Sequence, residues 1–96
     1  MRLVSITPSD DGTHKFRAVF EFPDGRTKTT HFGAKGYSDF TQHRNRLRKA
    51  NYIARHRYNE NWNDPTTAGA LSRWILWNMP TMTESVADFK RRFNLG

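Results

Sequence analysis

The sequence predicts an α+β fold: a three-stranded antiparallel β-meander followed by three α-helices, in a single domain spanning residues 1–96. Three observations predict it. Lys15–Phe22 alternates apolar and polar side chains, the period of a strand with one buried face. Pro23-Asp24-Gly25 supplies a turn directly after it. Beyond Gly36 the apolar residues recur at helical spacing behind three candidate helix starts.

Taken in order, Leu3–Ile6 is short and rich in β-formers, and Ser9-Asp10-Asp11-Gly12 is a cluster of turn residues. In the second strand Phe16, Ala18, Phe20 and Phe22 point one way, and Lys15, Arg17, Val19 and Glu21 the other. Thr27–Phe32 returns as the third strand and closes a meander over residues 1–33. Ser38 is then the expected N-cap of one long helix over 38–58, whose apolar stripe is Phe40, His43, Leu47, Ala50, Ala54 and Tyr58. Asp64-Pro65 reads as the cap and first position of a second helix, 64–78, burying Leu71, Trp74 and Ile75. Pro80 ends it. Thr81 and Glu84 have capping-box spacing for a third helix, 82–93, with Met82, Val86, Phe89 and Phe93 on its inner face. Asp88 stands where it pairs with Arg91 or Arg92. The meander is expected to pack its Phe16, Phe20 and Phe22 face on Leu71, Trp74, Ile75, Phe89 and Phe93.

Composition narrows the classes of function. Seven Phe, three Trp and three Tyr in 96 residues give a core large enough to fold without staples. There is no cysteine, which excludes disulfides, thiolate metal sites and a cysteine nucleophile. No apolar run approaches the roughly 20 residues of a membrane span, and the N-terminal residues lack the apolar core of a secretory signal. The expectation is a protein that is not secreted and has no membrane partner.

Charge is the most informative feature. The chain carries +7 overall, which favours anionic partners. Residues 38–60 hold six basic side chains against two acidic, with no acid between Phe40 and Asn59. Arg44, Arg48 and Arg55 flank one side of the predicted stripe, and Lys49 and Tyr52 fall near the centre of the exposed face. One reading has the arginine stems covering the edge of the core. The other has Arg44, Arg48, Lys49 and Arg55 tracking phosphates while Tyr52 stacks on a base. Lys15 and Arg17, with Arg26 and Lys28 across the hairpin, make the outer sheet face a second candidate nucleic-acid surface. The partner expected is nucleic acid, DNA before RNA, or an acidic protein surface.

Other constellations carry less. The four histidines lack zinc-ligand spacing, so no metal or other cofactor is expected. Asp39, His43, Glu60 and Asp64 resemble a nuclease set only if their capping and loop roles are ignored. With no phosphate-binding loop or nucleophile elbow, no catalytic residues are expected and the protein is read as a non-enzyme. Trp62, in an Asn-rich loop, is either a plug on the core or the anchor of a partner.

The segments from His31 to His43 (HFGAKGYSDFTQH), Tyr52 to His56 (YIARH), Glu60 to Pro65 (ENWNDP) and Ala68 to Asn78 (AGALSRWILWN) resemble a family of short, uncharacterised basic proteins of nucleocytoplasmic large DNA viruses, and Pro80-Thr81 and Asp88 to Phe93 complete the likeness. The likeness implies a viral protein, located in the virion or at the site of viral replication in host cytoplasm or nucleus. It implies no particular activity. Together with the charge it leads to the expectation of a DNA-binding accessory protein. The alternative is a virion structural or adaptor protein docking an acidic viral or host protein through the Trp62 loop.

Overall fold

In a computed structural model, which describes all 96 residues, strands β1 (Arg2–Pro8), β2 (His14–Glu21) and β3 (Thr27–Ala34) form one antiparallel sheet in the order β1-β2-β3. The alternation read from β2 sets its register. Phe16 stands opposite Phe32, Ala18 opposite Thr30 and Phe20 opposite Lys28. Leu3 and Ile6 of β1 face Phe20 and Ala18, with an irregularity between Leu3 and Ser5 that turns Val4 outward. The β2–β3 turn closes by Gly25 N–H donating to the Phe22 carbonyl at 2.9 Å. Gly25 adopts a φ of 88°, which a side chain resists.

The sheet is covered by the C-terminal part of the chain. Phe20, Phe32, Leu71, Ile75 and Phe89 are wholly buried, and Leu3, Leu76 and Leu95 nearly so. Phe16, Trp74, Met82, Val86 and Phe93 pack around them. Phe22, expected in this layer, is half-buried at the margin of the sheet and stands outside the cluster. Each fully buried large ring stabilises the fold by about 1.5–3 kcal/mol relative to exposure.

The long helix expected over 38–58 is two helices, α1 (Phe40–His43) and α2 (Arg46–His56). Asp39, and not Ser38, caps the first: its carboxylate accepts from Thr41 N–H, and Gln42 returns a bond to the Asp39 N–H. The helix stops at Arg44, which takes a left-handed φ of 54°. Asn45 then restarts it by accepting from the N–H groups of Leu47 and Arg48. A side-chain cap that satisfies two orphan donors makes a break affordable where no proline forces one.

The break resets the helical phase. The inner face of α2 is Lys49, Tyr52, Ile53 and His56, at i, i+3, i+4 and i+7, and not the stripe through Leu47, Ala50, Ala54 and Tyr58. Leu47 and Tyr58 are 71% and 78% exposed.

The second helix also differs from expectation. Asp64 does not cap it; its carboxylate closes a turn onto Thr66 N–H and Oγ1. Thr67 is the cap of α3 (Ala68–Leu71), which runs on into a π-helical turn over Ser72–Leu76. The third expected helix is α4 (Met82–Arg92), capped by Thr81, with Asp88 within 3.7 Å of Arg91 and 3.3 Å of Arg92.

Candidate functional site: a basic groove beside α2

A groove of about 960 Å³ opens between the end of the sheet, the Lys35–Asp39 loop, α2 and the π-turn. α2 contributes Arg48, Asn51 and Arg55, whose spacing puts them on one face, together with Tyr52 and His56. The sheet and loop contribute His14, Lys15, Tyr37 and Asp39, and the π-turn contributes Ser72 and Leu76, followed by Trp77. A π-helical turn is a rare local geometry that recurs at functional sites.

Of the expected site residues, Lys15, Arg48, Tyr52 and Arg55 meet at this groove, but in different states. Arg48 and Arg55 are exposed and have no carboxylate partner. Lys15, expected on an open sheet face, is nearly buried; its ammonium meets Asp39 Oδ2 at 2.6 Å and Gln42 Oε1 at 2.9 Å. Tyr52 is not free to stack on a ligand from the outer helix face. Its ring is 8% exposed and lies parallel to Trp77, with centroids 4.4 Å apart, while His56 stacks on it at 4.3 Å. Burial, helped by the charge of Glu60, holds the Tyr52 phenol far above its ordinary range.

The remaining expected residues do not join the groove. Lys49, expected at the centre of the exposed face, turns inward, donates to the Asn78 carbonyl at 2.7 Å and sits 4.9 Å from the Phe40 ring centre. Burial lowers its pKa, with Arg73 and Arg46 adding to the effect. Arg44 is exposed at the helix break. Arg17 lies on the sheet, donating to Thr7 Oγ1 at 3.2 Å with Asp10 4.0 Å away. The outer sheet face therefore presents no cluster of cations: Lys28 donates to Thr66 Oγ1, and Arg26 is held by Asp24. Trp62, read either as a plug on the core or as a partner anchor, is half-buried. Its indole N–H donates to Glu60 Oε2 at 2.8 Å, and its carbonyl accepts from Trp74 Nε1 at 3.0 Å. Its ring is used within the molecule.

Sequence reasoning missed Tyr37, Asn51 and His56 as groove residues. Asn51 and His56 became legible only with the correct helical phase, since they share the Arg48 side of α2. Tyr37 carried no local signal beyond being an aromatic in a Gly-containing loop.

Elsewhere Asp11 gathers the N–H groups of Thr13 and His14 and the His14 ring, and these hydrogen bonds hold its carboxyl well below the usual carboxylate range. Ser9 Oγ and His31 Nδ1 stand 2.7 Å apart beside it. No group of three His, Asp or Glu side chains is arranged to hold a metal ion, and no helix is long and apolar enough to cross a membrane.

No curated protein and no solved structure matches the chain. Residues 4–56 match a family described as Family of unknown function (DUF5754). The match runs from β1 to the end of α2 and includes Lys15, Tyr37, Arg48, Tyr52 and Arg55. It spans more than half of the 96 residues, and the chain belongs to that family of unknown function.

Proposed function

We propose that this protein is a non-enzymatic nucleic-acid-binding protein that holds its partner by the phosphate backbone, with DNA as the first candidate. One observation carries the reading. The exposed arginines outside residues 44–57 have a carboxylate neighbour: Arg2 has Glu21, Arg26 has Asp24, and Arg91 and Arg92 share Asp88. Arg44, Arg46, Arg48, Arg55 and Arg57 are exposed and have none. Five unneutralised guanidinium groups on one short segment are an electrostatic footprint suited to phosphates, and arginine's planar fork matches phosphate oxygens. In the setting that the viral resemblance implies, the partner is the genome or a transcript of a large DNA virus.

Because Lys49 is committed to the Asn78 carbonyl, and Arg46 and Arg57 fall on the side of α2 opposite Arg48, the expected phosphate contacts reduce to Arg44, Arg48 and Arg55. The logarithm of the association constant then falls with log salt at a slope of roughly −2 to −3. Replacing both Arg48 and Arg55 by Glu brings that slope close to −1 or abolishes binding, and weakens unrelated sequences alike, because phosphate contacts carry no base readout. Anisotropy titrations at several salt concentrations measure this. A wild-type protein that binds no nucleic acid at low salt refutes the reading. A nucleic-acid complex insensitive to salt refutes phosphate-directed binding, and absence of any complex favours the alternative, an adaptor for an acidic protein.

A further inference from the structure

We propose that the groove beside α2 takes an unpaired nucleotide segment, with Tyr37 stacking on a base and Arg48 and Arg55 meeting the flanking phosphates. The inference rests on the nucleic-acid reading above and narrows it from backbone binding in general to single strands.

The charge inside the groove is the first support. Asp39 is neutralised by Lys15, and Glu60 is engaged by the Trp62 indole N–H and by His56 at 3.3 Å. Arg48 and Arg55 have no carboxylate partner, and even with Glu60 ionised the lining carries a net positive charge. The two arginines stand seven residues apart, roughly 10 Å along the helix axis, too far to share one phosphate and placed to meet two along a strand. Arg48 and Arg55 are separated along the chain by Asn51, whose amide both donates and accepts hydrogen bonds.

Size is the second support. A volume of about 960 Å³ lies at the upper end of the roughly 300–1,000 Å³ range of small-molecule sites, which suits a nucleotide or two but not a duplex.

Tyr37 is the third. Its side chain is on the groove, 74% exposed, and its ring has no aromatic or cationic neighbour in the molecule. The backbone beneath it turns at Gly36, φ 91°, and Tyr37 N–H donates to the Ala34 carbonyl at 3.3 Å. An exposed ring on an anchored backbone, beside two free guanidinium groups, is the combination by which single strands are held without sequence preference.

The test uses the full chain, a labelled oligothymidylate and a labelled blunt-ended duplex, titrated by fluorescence anisotropy at low salt. The expected result is tighter binding of the single strand. Tyr37→Ala then weakens the single strand by roughly 5- to 150-fold, the span of alanine substitutions at stacking aromatics. It leaves the weaker duplex binding unchanged. Tyr37→Phe binds like wild type because the ring remains. Both variants melt with the wild-type protein, since the side chain is exposed. A duplex bound as tightly as the single strand, or a Tyr37→Ala protein that binds oligothymidylate like wild type, overturns the single-strand inference and leaves backbone binding standing. Failure of the wild-type protein to bind either probe overturns both.

Discussion

Asp39 joins two jobs in one carboxylate, and substituting it separates them. Its Oδ2 receives the Lys15 ammonium at 2.6 Å, and its Oδ1 caps α1 by accepting from Thr41 N–H at 3.0 Å. The side chains of Lys15 and Asp39 are 15% and 4% exposed, so water screens the pair little. Asp39→Ala strands the Lys15 ammonium with Gln42 alone and leaves the α1 N-terminus uncapped. Breaking a buried pair by removing one partner costs about 3–5 kcal/mol, and losing a cap about 0.5–2 kcal/mol. Lysine's flexible stem lets the ammonium reach water after the change, so the combined cost falls near about 4 kcal/mol. For a domain of this size each kcal/mol lowers Tm by roughly 4–8 °C, so the variant should melt roughly 15–30 °C lower by circular dichroism. Asp39→Asn retains a capping oxygen and loses only the charge, and should recover about 1 kcal/mol of that loss. An Asp39→Ala protein melting within about 3 °C of wild type would refute the argument, because it would mean the pair and the cap together hold nothing.

Three other outcomes follow from the same contacts. Gly33 has a φ of 80°, and a Cβ there would lie 2.7 Å from Leu76 Cδ1, so Gly33→Ala should lose about 2–4 kcal/mol in urea unfolding, whereas Gly25→Ala, with open space around it, should lose only the backbone part. The pKa of His43 lies below its ordinary 6.5, through burial first and then the charges of Arg48 and Lys15 over the opposing Asp39. Below pH 6.5 the unfolded chain therefore binds a proton that the folded ring resists, stability falls as pH falls below 6.5, and His43→Gln should flatten that fall of Tm. Trp74 carries the guanidinium groups of Arg73 and Arg92 at 4.1 and 3.7 Å from its ring centre. Trp74→Ala should cost about 3–5 kcal/mol, and a Tm unchanged within a degree or two would show that the ring is dispensable.

The elements read correctly from sequence are those in which one local pattern and the tertiary burial agree. β2 alternates because only one face meets Leu71, Ile75 and Phe89, and α4 has both its Thr81 cap, which accepts from Glu84 N–H, and a clean apolar stripe. The misplaced helix starts lie between Ser38 and Asp64, where two local signals competed. Asp39 with Gln42 has the capping-box spacing that Ser38 lacks, and Asn45 is as good a cap as Asp64, yet periodicity drawn across Arg44 concealed both. A stripe drawn through a left-handed residue is out of phase beyond it. That one error turned Lys49 and Tyr52 outward and Leu47 inward. The arginines escaped it, since Arg44, Arg48 and Arg55 are exposed in either phase. Lys15 was placed on an open sheet face, whereas the structure nearly buries it. Its partner Asp39 lies 24 residues away, and nothing local announces a long-range ion pair.

The π-turn at Ser72–Leu76 sets a conflict between robustness and recognition. It holds one residue more per turn than an α-helix, so Trp77 is rotated by roughly 100° from where regular helix would leave it. Trp77 is thereby aligned with Tyr52, their planes 4° apart at the groove. Removing one residue from the turn would regularise the helix and relieve its poorer geometry, while carrying the indole away from its phenol partner. Selection for a sturdier scaffold would therefore erase the register that sets Trp77 parallel to Tyr52 at the groove.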